Sequence, residues 1–168
     1  MIPVKQTGIK VRKYFKEYRF SNVLAMIKNN SKNPLLCEND FKDKLVVITG
    51  ATSGIGYATA KKFASKGANL ICINRNEEKS EALKKEIENE YPVNCDYIMA
   101  DLSSIEDTRE VSHRLLDLEK PIDVLIHNAG IYLTKRQITP AGIENVLMVN
   151  YLSSFMINYL LKEILLVD

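Results

Sequence analysis

The sequence predicts an α/β fold in which helices cover a parallel sheet. Short apolar runs alternate with longer amphipathic segments without a break from residue 44 to residue 127, as parallel strands and their crossover helices do. The first apolar run also leads directly into a glycine-rich turn that opens a helix. These two observations predict strands and helices in alternation, with a specialised turn at the end of the first strand.

The elements follow from the apolar pattern in chain order. Strands are predicted at residues 44–49, 69–73, 95–99 and 123–127, and helices between them at residues 54–66, 77–91 and 104–118. Another helix is predicted to begin at Thr139-Pro140, because proline suits the first helical turn. A long apolar helix is predicted for about residues 145–166. Asn150, Ser154 and Asn158 recur every four residues in it, and such a polar stripe favours a buried helix over a membrane span.

Local patterns predict the packing face of one helix and the start of another. Ile55, Thr59 and Phe63 lie at intervals of four residues, which predicts an apolar face on the first helix after the glycine-rich turn. Ser103 is followed three residues later by Glu106, which is the spacing of a capping box. Ser103 is therefore the predicted N-cap of the helix at residues 104–118.

The glycine-rich turn carries the strongest functional signal. It reads Thr-Gly-Ala-Thr-Ser-Gly-Ile-Gly over residues 49–56. Gly50 permits a sharp turn, Gly54 lets a pyrophosphate approach the backbone, and Gly56 lets the helix pack closely on the strand. The free N–H groups of the helix start would face the phosphates, although a purely structural turn stays an alternative. The predicted dinucleotide-binding residues of this turn are Gly50, Thr52, Ser53, Gly54, Ile55 and Gly56.

Three further motifs follow in order, and together with the turn they resemble those of the short-chain dehydrogenases/reductases. The motifs are Asp101-Leu102 after the third strand, Asn128-Ala129-Gly130 after the fourth strand, and Val149-Asn150-Tyr151 within the apolar helix. The resemblance covers the chain from about Phe41 to its last residue and is strongest with the retinol dehydrogenase-like branch. It implies a Rossmann-type sheet, a nicotinamide dinucleotide, and hydride transfer between that cofactor and a carbonyl or alcohol substrate.

The resemblance also implies roles for individual residues. Asp101 would meet the adenine through its carboxylate and Leu102 through its backbone, whereas without the resemblance Asp101 is equally well an acid of the loop. Asn128-Ala129-Gly130 would continue the fourth strand into the cofactor cleft, near the nicotinamide ribose, and the alternative is an ordinary turn. Asn150 would be the active-site asparagine of the family.

The residue after the second strand predicts which dinucleotide is preferred. An acid about twenty residues beyond the glycines would hold the ribose 2′-hydroxyl of NAD, but the strand here ends in Asn74-Arg75-Asn76. The Arg75 guanidinium suits the 2′-phosphate of NADP by its charge and by its fork of donors. The sequence therefore predicts that NADP(H) is preferred over NAD(H), and the alternative is a solvated arginine.

The proton donor that the family uses is not found in the sequence. The family carries a serine on a further strand and then a Tyr-x-x-x-Lys helix, and neither can be located. Tyr159 and Lys162 are three residues apart and share a helix with Asn150, so they are interpreted as helix-surface or core residues. The sequence is interpreted as an incomplete Rossmann domain, residues 34–168, that carries the cofactor-binding half and ends after the fourth strand and following helix. It is expected to represent either a truncated dehydrogenase or a short relative.

Two rival functions stay open beside the NADP-dependent oxidoreductase. The first is a dinucleotide-binding or regulatory module without turnover. The second, weaker rival is an interaction protein that associates with a membrane through its N-terminal helix. A chain ending after this apolar helix would leave the side chains of Leu152, Phe155, Met156 and Tyr159 without neighbours, so self-association into a homo-oligomer is expected.

Residues 1–33 are interpreted as a basic helical extension and a polar linker. Residues 1–36 contain eight Lys or Arg and a single acid, Glu17. Phe20 to Ile27 carry apolar side chains at helical spacing, which fits packing against the domain or contact with an anionic membrane surface. A mitochondrial presequence is less favoured because lysine outnumbers arginine, and the segment lacks the apolar core of a secretory signal.

Composition excludes several other classes of function. Three cysteines, Cys37, Cys72 and Cys95, make an odd count without metal-type spacing, which predicts a reducing, intracellular and cytoplasmic setting. The two histidines, His113 and His127, lie apart from other metal ligands, so no metal site is predicted. No recognisable nucleic-acid module accompanies the basic residues, so the predicted partner is a small carbonyl or alcohol molecule.

Overall fold

The computed structural model describes residues 20–30, 38–118 and 120–165, and the chain divides into two units after Glu38. In the first unit, helix α1 spans Phe20–Asn30 and all of its residues are exposed. The predicted basic run before residue 20, the predicted linker at residues 31–33 and Cys37 lie outside the described residues. None of the described helices is both long enough and apolar enough to cross a membrane.

The second unit is an α/β fold with one parallel sheet, as the sequence predicts. Its elements in chain order are β1 (Leu45–Thr49), α2 (Gly54–Ala64), β2 (Asn69–Asn74), α3 (Glu77–Glu90), β3 (Cys95–Met99), α4 (Ile105–Leu116), β4 (Val124–Ile126), α5 (Asn145–Leu147), a π-helical segment (Met148–Leu152) and α6 (Ser153–Leu165). The strand order is β3-β2-β1-β4, and every pair is parallel. The chain therefore leaves β1 toward one edge and returns to its other side as β4, which creates a topological switch point between β1 and β4.

The central strand β1 divides the core into two layers because its side chains alternate between the faces of the sheet. Val47 faces a layer that contains Leu115 of α4 and Ile157 of α6. Val46 and Ile48 face the other layer, which α2 and α3 cover. Helices on both faces bury β1 completely, and this fixes where its carboxyl end, with the glycine-rich turn, emerges from the sheet.

The predicted packing face of α2 is wrong at Ile55, whereas Phe63 is half-buried and packs against the core as predicted. The buried residues of α2 are Gly56, Ala60 and Ala64, whereas the side chain of Ile55 is 80% exposed. These three residues also recur every four positions, and their small side chains let the helix backbone approach the sheet closely. Close approach at the helix start outweighed the larger apolar side chains, which is why the apolar spacing was misleading.

The predicted N-cap of α4 is displaced by one residue. Ser104 is the cap, and its Oγ accepts the backbone N–H of Asp107 at 3.1 Å. Ser103 belongs instead to the preceding turn, in which its backbone N–H donates to Asp101 Oδ1 at 2.9 Å. Asp107 therefore occupies the capping-box position that was predicted for Glu106.

No helix begins at Thr139-Pro140, so this prediction is also wrong. The Thr139 N–H donates to the Ile143 carbonyl at 2.8 Å, and Gly142 has a φ of 79°. These residues form a turn between Ile138 and Glu144, which pair as an isolated antiparallel bridge. Proline suits an early turn position as well as a helix start, and the left-handed glycine decides for the turn.

Candidate functional site

A cleft of about 630 Å³ lies at the carboxyl ends of the strands, and its lining includes the switch point between β1 and β4. Its lining comes from the loops that follow all four strands and from the segment around α5. The predicted site residues that line it are Gly50, Thr52, Ser53, Ile55, Arg75, Asp101, Leu102, Asn128, Ala129 and Gly130. Gly54, Gly56 and Asn150 do not belong to the lining. The fold thus brings separate sequence motifs to one place, while their roles stay predictions.

The glycine-rich turn after β1 is closely packed, and two of its glycines are so close to neighbouring atoms that a side chain would not fit. Gly50 has a φ of 71°, and a Cβ there would lie 3.0 Å from the Ala129 Cα. A Cβ on Gly56 would overlap the Gly50 carbonyl oxygen and the Asn128 side-chain amide. The Asn128 Nδ2 donates to the Gly50 carbonyl at 2.9 Å. The turn, the start of α2 and the segment after β4 therefore pack as one unit.

The first turn of α2 differs from the starts of α3 and α4 in its capping and charge. Its N-cap, Ser53, makes no side-chain hydrogen bond to the helix, and its first turn contains no acid. Helices α3 and α4 are capped by Asn76 and Ser104, and each has two acids in its first turn. Free N–H groups and an unopposed helix dipole favour an anion. Of these three helices, α2 alone begins with a start suited to a phosphate group.

Thr49 holds the segment after β4 that lines the cleft. It is buried at the end of β1, and its Oγ1 accepts the backbone N–H groups of Asn128 at 3.0 Å and of Ala129 at 2.9 Å. The two small residues that follow Asn128 then continue along the cleft. This arrangement leaves room for a ligand beside the backbone after β4.

Asn74, which was not among the predicted site residues, lines the floor of the cleft. Its Oδ1 accepts the Ala51 N–H at 2.9 Å, and its side chain is buried. Its Nδ2 is one of two buried side-chain atoms without a partner among the described residues, and the other is Asn145 Oδ1, which belongs to another lining residue.

Two cations, Arg75 and Lys79, lie on the same side of the cleft, at the end of β2 and in the first turn of α3. Both are exposed, and neither makes an ion pair with any residue that the structure describes. By contrast, Lys44, Lys61, Lys84 and Lys85 each contact a carboxylate. Lys79 was not predicted from the sequence, although its position four residues after Arg75, in the first turn of the next helix, was a usable signal.

Asp101 is held in place by its own loop. Its Oδ1 accepts the Ser103 N–H, and its backbone N–H donates to Asp107 Oδ2, both at 2.9 Å. Leu102 is buried beside it. These hydrogen bonds fix the position of Asp101, which lines the cleft together with Leu102.

Asn150 lies in the middle of the π-helical segment, outside the cleft lining. Its Oδ1 accepts the Ile131 N–H at 2.8 Å, and its Nδ2 donates to the Ile131 carbonyl at 2.9 Å. Widened helical turns of this kind are frequent at functional sites. In this structure, the Asn150 amide holds the segment after β4 and thereby positions Gly130 and Ile131, which line the cleft.

The other polar groups of α6 point elsewhere. Tyr159 is 60% exposed, the Lys162 Nζ lies 5.3 Å from the centre of its ring, and neither residue lines the cleft. The His127 Nε2 lies 2.9 Å from Asn158 Oδ1, so this ring is engaged with α6. Within the described ranges, no group of three or more His, Cys, Asp or Glu side chains is arranged to hold a metal ion.

Comparisons with known proteins agree with this geometry. The family model for short chain dehydrogenases matches residues 44–166. The short-chain dehydrogenase TIC 32 A of Brassica napus chloroplasts is 36% identical over 125 residues, which cover 74% of this chain and 39% of that protein. Human retinol dehydrogenase 13 is 37% identical over 123 residues, or 71% of this chain and 37% of the relative. The chain thus spans about two fifths of the length of these relatives.

A solved structure supports the fold assignment independently. The short-chain dehydrogenase of Sphingobium yanoikuyae, determined in complex with NADPH, superposes with a TM-score of 0.63 and is 31% identical. The match covers 70% of this chain and 46% of that protein. The similarity therefore covers most of the chain that forms the sheet and the cleft.

Proposed function

We propose, from the premise that this chain belongs to the short-chain dehydrogenase/reductase family, that its cleft binds NADP(H) for hydride transfer to or from a carbonyl or alcohol substrate. The observation that carries this proposal is the uncapped, acid-free start of α2 below a glycine turn at the switch point of the sheet. Such a start offers backbone donors to a pyrophosphate without competition from the protein's own side chains.

The remaining lining residues fit the rest of a dinucleotide. Asp101 and the Leu102 backbone would contact the adenine, and Asn128, Ala129 and Gly130 would border the nicotinamide ribose. The bound cofactor supplies the hydride, while the chain binds, orients and partly desolvates the ligand. A Cβ on Gly54 would have no heavy atom of the described residues within 4 Å, and this open space fits the close approach of a phosphate.

The preference for NADP(H) rests on charge. Arg75 and Lys79 present two cations without carboxylate partners among the described residues, and the strand that precedes them ends in an amide rather than an acid. A 2′-phosphate gains charge-assisted hydrogen bonds from such groups, whereas a 2′-hydroxyl gains little. We therefore propose that this end of the cleft selects the phosphorylated cofactor.

A second candidate is a dinucleotide-binding module without turnover, and the lining of the cleft favours it in one respect. The described lining contains no tyrosine, histidine or cysteine that would serve as a proton donor. We propose that the 168-residue chain binds cofactor and does not reduce carbonyls by itself. A small carbonyl or alcohol substrate belongs to the oxidoreductase proposal. We propose self-association and contact of the N-terminal helix with a membrane surface separately, from the sequence.

A calorimetric titration of the 168-residue chain with NADPH tests this function. Saturable binding of one equivalent is expected, and oxidation of NADPH with a panel of ketones and aldehydes is expected to stay at the background rate. The absence of binding would contradict the proposed function. Turnover that depends on Tyr159 would support the oxidoreductase and contradict the proposal that the chain is inactive alone.

A further inference from the structure

We propose that α1 is a docking helix for an anionic lipid bilayer, which it contacts with one apolar face while basic residues beside it meet the lipid headgroups. The docking rests on the membrane contact proposed above and does not depend on the bound cofactor. It specifies the face of the helix, the charge of the lipid and the requirement that both signals act together.

The apolar face of α1 follows from the helical repeat. Four apolar side chains have the spacing i, i+3, i+4 and i+7, which brings them to one side of the helix. They are Phe20, Val23, Leu24 and Ile27. The opposite side of the helix is polar or small, with Asn22, Ala25 and Asn29. The helix is therefore amphipathic, and it contains no acidic residue.

The apolar face is exposed along its whole length. The exposed fraction of its side chains ranges from 39% for Val23 to 76% for Phe20, and no residue of α1 is buried. The sequence left open whether this face packs against protein or contacts a membrane, and the exposure favours a partner outside the chain. A contiguous exposed apolar surface of this kind marks a site of protein or membrane contact.

The distribution of charge identifies the partner as an anionic surface. Residues 1–36 contain eight Lys or Arg and one acid, whereas residues 37–168 contain 15 Lys or Arg and 20 Asp or Glu. An anionic surface therefore attracts the segment that contains α1 and repels the rest of the chain. Each Lys or Arg held near such a surface raises the affinity about fivefold.

A bilayer suits this segment better than a groove on an acidic protein. The basic residues lie on both sides of the apolar face, from Lys5 to Lys32, and are spread along the sequence. A bilayer offers negative headgroups over its whole surface, whereas a protein groove offers charge at fixed points. An amphipathic helix that lies in the interface also keeps its polar side in water, as the amides of Asn22 and Asn29 require.

Neither signal gives stable docking by itself. A single short apolar face enters only the boundary between headgroups and acyl chains, and the attraction of the basic residues is screened by salt. We therefore expect reversible binding that is lost when either the apolar face or the basic residues are removed.

The apolar face is tested by Phe20→Gln combined with Leu24→Gln, which leaves the net charge unchanged. Glutamine is a good helix former, so the helix should be retained. The Kd for anionic vesicles is expected to rise about ten- to a hundredfold, because two side chains no longer leave water. Ala25→Gln makes the same type of change on the polar side and should leave the Kd within about threefold.

The charge is tested by Lys10→Gln, Arg12→Gln and Lys13→Gln in one variant. The Kd for anionic vesicles is expected to rise at least about tenfold, and the difference from the unmodified chain should fade at about 0.5 M salt. The control removes three exposed lysines from the second unit and should change the Kd less than about threefold, because that unit is not drawn to the surface. These lysines are Lys42, Lys62 and Lys135, each replaced by Gln.

The measurement is sedimentation of the 168-residue chain and the four variants with vesicles of phosphatidylcholine alone and of about three parts phosphatidylcholine to one part phosphatidylserine. The unmodified chain should bind the mixed vesicles about ten- to a hundredfold more tightly. Equal binding to both vesicles, or undiminished binding by the variant at Phe20 and Leu24, would overturn the inference. Absence of binding to either vesicle would also overturn it and would favour a protein groove.

Titration of the same samples with NADPH separates this docking from the proposed cofactor site. Each of the four variants should bind NADPH as the unmodified chain does. A chain that binds mixed vesicles and no NADPH would contradict the proposed cofactor site and leave the docking intact.

Tryptophan fluorescence gives a second measurement, because the chain contains no tryptophan. In Phe20→Trp, the emission should move to shorter wavelength when mixed vesicles are added, since the indole leaves water for the interface. An emission maximum that stays unchanged while the chain sediments with the vesicles would show that another segment makes the contact, and would overturn the inference.

Discussion

Asn150 and Ile131 are joined by two hydrogen bonds, in which the Ile131 N–H donates to Asn150 Oδ1 at 2.8 Å and the Asn150 Nδ2 donates to the Ile131 carbonyl at 2.9 Å. A side-chain amide that pairs with a backbone amide in both directions fixes the two segments against each other. Here it connects the π-helical segment to the loop that borders the cleft after β4.

Loss of these two hydrogen bonds should reduce cofactor affinity and lower the free energy of unfolding only modestly. Asn150→Ala is expected to cost about 1–2 kcal/mol of stability, the value of two partly exposed hydrogen bonds, and to weaken NADPH and NADH by similar factors. Thermal unfolding and calorimetric titration measure both effects. Asn158→Ala, which removes the contact with His127 on α6, is the control and should leave cofactor affinity unchanged. Equal cofactor affinities in the two variants would show that Asn150 does not position the cleft.

Gly54 and Gly56 lie two residues apart, and substitution should destabilise the fold much more at Gly56 than at Gly54. Gly56→Ala is expected to destabilise the fold by about 3 kcal/mol, because its Cβ would overlap the backbone at Gly50. Gly54 has open space but a φ of 58°, so Gly54→Ala should cost only about 1 kcal/mol. Urea unfolding of the two variants measures the difference.

A larger side chain at Gly54 should act on binding. Gly54→Val is expected to weaken NADPH and NADH by the same factor, since it obstructs the pyrophosphate that both share. Unchanged affinity for both cofactors in this variant would show that the glycine turn does not bind the phosphates.

Asp123 should make part of the stability of the sheet dependent on pH. The Lys44 ammonium at 2.7 Å and the Leu45 N–H at 2.8 Å hold the pKa of the Asp123 carboxyl below its usual value. A lowered pKa in the folded state gives stability that is present above the unfolded value of about 4 and is lost as the pH falls through the folded value. Because both partners are partly exposed, the effect should be at most about 1 kcal/mol.

The substitution Asp123→Asn tests this pH dependence. The unfolding free energy of the variant should be lower than that of the unmodified chain at pH 7, and the difference should shrink below about pH 4. Asp96→Asn, which removes an exposed ion pair at 3.4 Å, serves as the control and should follow the unmodified chain over the whole range. A difference that stays the same as the pH falls from 7 through the acidic range would contradict the assigned cause.

Lys79 should contribute to the recognition of the 2′-phosphate. Lys79→Ala is expected to raise the Kd for NADPH about three- to tenfold, because the lost contact is exposed and screened, with little effect on NADH. Lys85→Ala removes another lysine of the same helix, one that pairs with Glu81, and should change neither value. The effect of Lys79→Ala should fade when the titration is repeated at about 0.5 M salt, and an effect that does not depend on salt would argue against a charge contact.

The sequence predicted the fold through patterns that repeat along the chain. The apolar run Leu45–Thr49 and the glycines that follow it were recognisable because neighbours in sequence decide both features. Two of the wrong predictions came from short local turns that compete with the predicted helix starts. Ser103 forms a turn with Asp101 instead of capping the helix. Thr139-Pro140 is compatible with a helix start or a turn, and the left-handed conformation of Gly142 selects the turn.

The candidate site was predictable to the extent that its motifs are local. Arg75 was found from its charge and its distance to the glycines. Asn74 was missed because its significance depends on the Ala51 N–H, which lies 23 residues away and occupies one end of its amide.

We expect the cleft to bind NADP(H) and Arg75 to confer the preference for it. The most direct measurement is the ratio of NADPH to NADH affinity in the unmodified chain, in Arg75→Ala and in Arg109→Ala, whose arginine lies on α4 outside the cleft lining. The unmodified chain and Arg109→Ala should bind NADPH about ten- to a hundredfold more tightly than NADH, and Arg75→Ala should bring the two affinities close together. Equal affinity for both cofactors in the unmodified chain, or a preference for NADH, would contradict the account.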